Sequence, residues 1–181
     1  MTRLLESLSP AGRYWLSGLA RLAEDMDWPV RLARSEGWRV ANKAYQAEQR
    51  RLGVTEMQAL LGHLNLEPPL GPALAREVLL TAIEIYLHTE QTIALARLED
   101  DTIRVDVSRC PIFDRFMDVR WYGQTACACF ARRKGWYEVI GVRADEELVM
   151  TRKWGDPVCD LRIRIPAPMA LAAQSGPHIS P

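Results

Sequence analysis

The 181-residue sequence predicts an α+β domain, with an N-terminal helical layer packed on an antiparallel β-sheet of about four strands and short helices inserted. Two observations carry this prediction. Apolar residues recur at helical spacing through the first hundred positions, and after Glu99-Asp100-Asp101 the spacing changes to two. A third observation bounds it: 48% apolar and 25% charged residues make the composition of one ordinary folded domain. No internal repeat is present. The expected organisation is a single domain over 1–166, helical over 1–100 and sheet over 101–166. The Pro-, Ala-, Gly- and Ser-rich stretch 167–181 reads as a flexible tail.

Leu16, Leu19, Ala20 and Ala23 mark a first helix that stops at Asp27-Trp28-Pro29. A second runs from about Ser35 to Arg51, with Gly53 as its C-terminal cap. Thr55 and Gln58 form a capping box that opens a short helix through Leu64. The loop Glu67-Pro68-Pro69-Leu70-Gly71 ends it. From Pro72 to about Leu98 a broad apolar face, including Val78, Ala82, Ile85 and Tyr86, predicts a central helix. Ile103, Val105 and Val107 then alternate with polar residues, as do Cys159, Leu161, Ile163 and Ile165, so both segments read as strands with one buried face. Between them, 111–119 and 122–133 are compatible with helices, and 137–142 and 148–154 with two further strands.

Lys plus Arg number 23 and Asp plus Glu 23, with −2 over residues 1–100 and only +2 over 101–181, so neither half is the basic stripe that a nucleic-acid partner needs. Charged residues interrupt every apolar run before the ~20 residues that cross a bilayer, so no membrane span is expected. The first twenty residues do not read as a secretory signal, which points to the cytoplasm, where four cysteines stay unbridged. Schiff-base chemistry has only Lys43, Lys134 and Lys153 to draw on. The expected partner is a small-molecule substrate or ligand, with a homodimer left open.

The four thiols are Cys110, Cys127, Cys129 and Cys159. Cys127 and Cys129 can hold one ion only on a strand or in a loop, because a helix separates them by about 200°. No CxxC is present, and the other spacings match no common zinc module, so no metal is expected. Buried small hydrophobes are the plain alternative for the pair. Cys110 precedes Pro111, where a helix start would lower its pKa. Cys159 is in phase with the buried face of its strand. Asp160 is in phase with Arg162 and Arg164 on the other face, as a proton-transfer group or as a partner for arginine. Gly155-Asp156-Pro157 reads as a turn whose carboxylate could also serve as a base.

Cys110-Pro111-Ile112-Phe113, Cys127 within Thr125-Ala126-Cys127-Ala128-Cys129-Phe130, and Trp154-Gly155-Asp156-Pro157-Val158-Cys159-Asp160-Leu161 together resemble the L-2-amino-thiazoline-4-carboxylic acid hydrolase-like family over about residues 100–165. The sequence departs from that pattern by lacking an acidic residue shortly after Cys127 and by having Leu161 where the family has Phe. The resemblance implies hydrolytic ring opening of a cyclic amidine without cofactor or metal. Cys110, Cys159, Asp156 and Asp160 would be catalytic, and Arg152, Cys127, Trp121 and Tyr122 would bind substrate. The layout is also similar to 4-vinyl reductase-type small-molecule-binding domains and their relatives among trafficking-complex subunits. These imply a non-catalytic pocket for a hydrophobic or tetrapyrrole-like ligand, which aromatic residues such as Trp121, Tyr122, Trp136 and Tyr137 would wall.

Overall fold

In the computed structural model, the described residues are 3–20, 27–88, 93–110, 113–114, 127 and 129–166. They form an α+β fold with helices α1 (Arg3–Ser7), α2 (Pro10–Ala20), α3 (Asp27–Glu36), α4 (Trp38–Leu64) and α5 (Pro72–Tyr86). Strands β1 (Ile93–Glu99) and β2 (Thr102–Arg109) follow, then helix α6 (Cys129–Ile140), β3 (Asp145–Met150) and β4 (Cys159–Arg164). The four strands form one antiparallel sheet in the order β1-β2-β4-β3.

Helix α4 is one uninterrupted element of 27 residues, not two helices with a cap at Gly53. The cap lies at Asn65, whose left-handed backbone (φ 52°) lets its N–H reach the Gly62 and Leu61 carbonyls. Thr55 is interior, and its hydroxyl donates back to the Arg51 carbonyl at 3.2 Å rather than forming a capping box. Asp27-Trp28-Pro29 opens α3, where proline is tolerated in a first turn, and residues 21–26 between it and α2 lie outside the described residues.

The predicted long helix from Pro72 ends at Tyr86, and 93–99 is strand instead. Helix-forming Ala94, Leu95, Ala96 and Leu98 pair with Val107, Asp106, Val105 and Ile103 because the β2 edge supplies a ladder that outweighs local preference. The hairpin turns at Asp100 (φ 52°) and Asp101, and Arg76 of α5 reaches Asp101 at 2.9 Å. Segment 137–142 is corrected from strand to the end of α6, and 148–154 to the end of β3 followed by a single 3₁₀ turn at Arg152–Trp154. The expected helix 111–119 falls largely outside the described residues, as does the tail 167–181, while the end of the expected helix 122–133 is the start of α6.

The core lies between the helices and one sheet face. Leu60, Val78, Leu79, Ala82, Ile83, Ile103, Val105, Trp136, Ile140, Leu161 and Ile163 pack there. The outer face carries Arg97, Arg104, Asp106 and Asp160 in linked ion pairs. Among the described residues, no helix is long and apolar enough to cross a membrane.

Candidate functional site

Helices α4 and α6 cross in close backbone contact. A Cβ on Gly53 would stand 2.0 Å from the Arg132 carbonyl oxygen, and one on Gly135 would stand 2.3 Å from that of Arg50. Only glycine permits backbones this close. Beside the crossing, the fully buried Glu56 carboxylate accepts both Nε (2.8 Å) and Nη2 of Arg132, and Trp136 Nε1 at 2.9 Å. Tyr86 donates its hydroxyl to the Glu56 carbonyl at 2.8 Å, and Arg132 Nη2 reaches the Tyr86 carbonyl at 3.2 Å. Burial lifts the Glu56 pKa above the usual carboxylate range despite the pull of Arg132. A second pair ties α6 to the sheet: Arg133 donates Nε (2.6 Å) and Nη2 (3.1 Å) to Glu146, which also accepts the Tyr137 hydroxyl. Arg132 and Arg133 are thereby aimed inward at the first turn of α6.

On the solvent side of this helix pair lies a cleft of about 300 Å³, at the small end of ligand-site volumes. Lys43, Gln46, Ala47 and Arg50 of α4 line it, facing Cys127 and Phe130, Ala131 and Lys134 of α6. Each wall repeats at i, i+3, i+4 and i+7, the spacing of one helix face. Three cations rim the cleft, and Ala47, Phe130 and Ala131 give it an apolar floor. Arg50 is held by Glu138 at 2.5 Å.

At the end of this cleft, the Cys127 and Cys129 sulfurs approach to 2.9 Å. Cys127 is exposed and Cys129 half-buried. The hydrogen bond from Cys127 is the main cause that draws the Cys129 thiol down to about 6, helped by Arg133 and Arg132 against the opposing effect of burial. The same hydrogen bond pushes the Cys127 thiol up. Burial also raises the Tyr45 phenol, and the charges of Cys129, Cys127 and Cys110 add to that shift. These three cysteines therefore share one neighbourhood around Tyr45.

Cys110 directly follows β2, and its carbonyl accepts the Asp114 N–H at 3.0 Å, while Pro111, Trp121 and Tyr122 lie outside the described residues. Cys159 pairs with Val107 on the core side of the sheet, three residues before Cys110 along β2. Its sulfur accepts the Arg152 N–H at 3.4 Å and lies 3.9 Å from the Thr151 hydroxyl. Asp156 accepts the Thr151 N–H at 2.8 Å and so closes the turn. Asp160 is 2% exposed on the opposite sheet face, clamped by Arg104 Nε (3.2 Å) and Nη2 (2.9 Å). Arg152 binds Asp114 at 3.3 Å and lies over the Phe113 ring, linking the Cys110 segment to the Cys159 corner. Its Nη1 is buried with no hydrogen-bond partner among the described residues. Trp136 donates its indole N–H to Glu56 and Tyr137 its hydroxyl to Glu146.

Sequence reasoning placed Cys127 at a site but missed Lys43, Arg50, Phe130 and Lys134. The signal was there: Lys43-Gln46-Ala47-Arg50 and Cys127-Phe130-Ala131-Lys134 have the same spacing and a similar make-up. What sequence could not show is that Gly53 and Gly135 bring the two helices together. Among the described residues, no group of three or more His, Cys, Asp or Glu side chains could hold a metal ion.

The class that fold and site define is a helix-layered α+β domain with an external, cation-rimmed cleft. No family model matches the chain, and no curated protein matches it. Among solved structures, the chain is similar to trafficking protein particle complex subunit 3 from Naegleria fowleri, a protein covalently bound to palmitic acid in that structure. The identity is 14%, the TM-score 0.47, and the match covers 86% of this chain and 95% of that one. No family model supports the expected membership of the thiazoline-hydrolase-like family, and the reading as a cyclic-amidine hydrolase is corrected with it.

Proposed function

We propose that this chain is a non-catalytic small-molecule-binding module, whose ligand joins an apolar body to one or more carboxylates. The observation that carries the reading is the cleft between α4 and α6. Lys43, Arg50 and Lys134 are spaced around Ala47, Phe130 and Ala131, so an anionic head has cations to meet while the body covers Phe130. Fatty acids and tetrapyrroles with propionate groups both have this chemistry. Asp156 and Asp160 support a binding role over hydrolysis, since one carboxylate closes a turn and the other is clamped on the outer sheet face. A cytoplasmic setting, expected from the sequence, suits four cysteines that form no disulfide.

A second reading puts the carboxylate on Arg152, whose Nη1 is buried without a hydrogen-bond partner among the described residues. Equilibrium binding of a fatty acid and of a porphyrin dicarboxylate to the full chain separates the two. Binding lost in Lys43→Glu/Lys134→Glu and kept in Arg152→Gln supports the cleft. The reverse pattern moves the site to Arg152, and the absence of any binding ends the proposal.

A further inference from the structure

The Cys127 and Cys129 side chains have a chemistry that ligand binding does not use. Their sulfurs lie 2.9 Å apart, within about 1 Å of a disulfide bond length. Cys127 opens onto a cleft rimmed by Lys43, Arg50 and Lys134, and it is the exposed member of the pair. Arg132 and Arg133 stand behind Cys129 and favour its thiolate. Thiol–disulfide exchange needs an attacking thiolate with some access and a second thiol within reach to resolve the mixed disulfide; Cys129, half-buried, supplies the first and Cys127 the second. We propose that Cys127 and Cys129 form a reversible dithiol–disulfide couple, with the basic cleft recruiting an anionic low-molecular-mass disulfide as its oxidant. This goes beyond the ligand reading: it uses the same cleft but needs no bound ligand.

The exchange balances in two steps. The Cys129 thiolate attacks one sulfur of the incoming disulfide, forming a mixed disulfide and expelling the first small thiolate. That thiolate takes the Cys127 proton and leaves as a thiol. The Cys127 sulfur then attacks the Cys129 sulfur, closes the intramolecular disulfide and expels the second small thiolate. The protein dithiol loses two electrons and the small disulfide gains them. Excess small thiol reverses both steps. Oxidation consumes the Cys129 thiolate and so also removes one negative charge at the end of the cleft.

The test incubates the full chain in oxidised and reduced glutathione mixtures, then blocks free thiols and maps them by peptide mass spectrometry. The wild type is expected to lose two of its four thiols, at Cys127 and Cys129, without retaining glutathione. Cys127→Ser keeps a hydroxyl donor to Cys129 but cannot close the ring, so it should accumulate a glutathione adduct on Cys129. Cys110→Ser and Cys159→Ser should oxidise like the wild type. Oxidised glutathione should react several-fold faster than the dicationic disulfide cystamine, and Lys43→Glu/Lys134→Glu should abolish that preference. Oxidation that joins Cys110 or Cys159 instead, or a pair that stays reduced in fully oxidised glutathione, overturns the couple. Equal rates for anionic and cationic disulfides overturn the role of the cleft. Loss of fatty-acid binding with the disulfide intact bears on the ligand reading alone.

Discussion

Gly53 and Gly135 meet where α4 crosses α6, and neither has room for a Cβ, which would stand 2.0 Å from the Arg132 carbonyl oxygen in one case and 2.3 Å from that of Arg50 in the other. The contact sets how the two cleft walls meet. Gly53→Ala or Gly135→Ala must push backbone against backbone, and each should cost about 3 kcal/mol or more in chemical denaturation. Gly62 in the same helix is exposed, with nothing within 4 Å of where a Cβ would stand, so Gly62→Ala should gain about 0.5–1 kcal/mol. Equal effects at the three positions would contradict a tight crossing.

Glu56 and Arg132 are buried as a bidentate pair, so removing one partner strands the other. Glu56→Ala should destabilise by about 3–5 kcal/mol. The double variant Glu56→Met/Arg132→Met should be less damaging than the single change, because it leaves no uncompensated charge. A double variant that loses the sum of both single effects would show that the pair acts mainly through its packing.

Cys129 should be alkylated by iodoacetamide as a thiolate, with a rate that rises as pH passes about 6 and then levels, well below the ~8.5 midpoint of an ordinary thiol. The sign follows from a depressed pKa: below about 6 the sulfur is protonated, and both its reactivity and its contribution to stability are lost. Cys127→Ala removes the hydrogen bond and should move the midpoint upward. Peptide-resolved alkylation rates between pH 5 and pH 9, on the order of ten points, measure it.

Asp156 closes the Thr151 turn with one charge-assisted hydrogen bond. Asp156→Ala should therefore lower stability by about 1–3 kcal/mol, read as a shift in denaturant midpoint, and leave binding in the α4–α6 cleft unchanged. Lost binding with unchanged stability would put Asp156 in a site.

The period-two segments identified β2 and β4 with the correct inward residues, Ile103, Val105, Leu161 and Ile163, because alternation on a half-buried strand is a local property. The placement of Asp160 on the outer face beside arginine was legible for the same reason. Strand β1 was not, since Ala94, Leu95 and Ala96 favour helix in isolation and become strand only against β2. Gly53 read as a stop because a helix-terminating glycine and a helix-crossing glycine look alike until the second helix is in place. The cleft was hidden behind that same contact. Lys43 and Arg50 belong to one helix and Phe130 and Lys134 to another, with Arg50 eighty residues before Phe130, and nothing in either segment announces the other.

Amide chemical-shift mapping of the full chain, titrated with a fatty acid and with a porphyrin dicarboxylate, addresses the cleft most directly. The binding account predicts perturbations concentrated at Gln46, Ala47, Phe130 and Ala131, which disappear in Lys43→Glu/Lys134→Glu. Perturbations gathered instead around Thr151, Arg152 and Cys159, or unchanged in the charge-reversed variant, would contradict it.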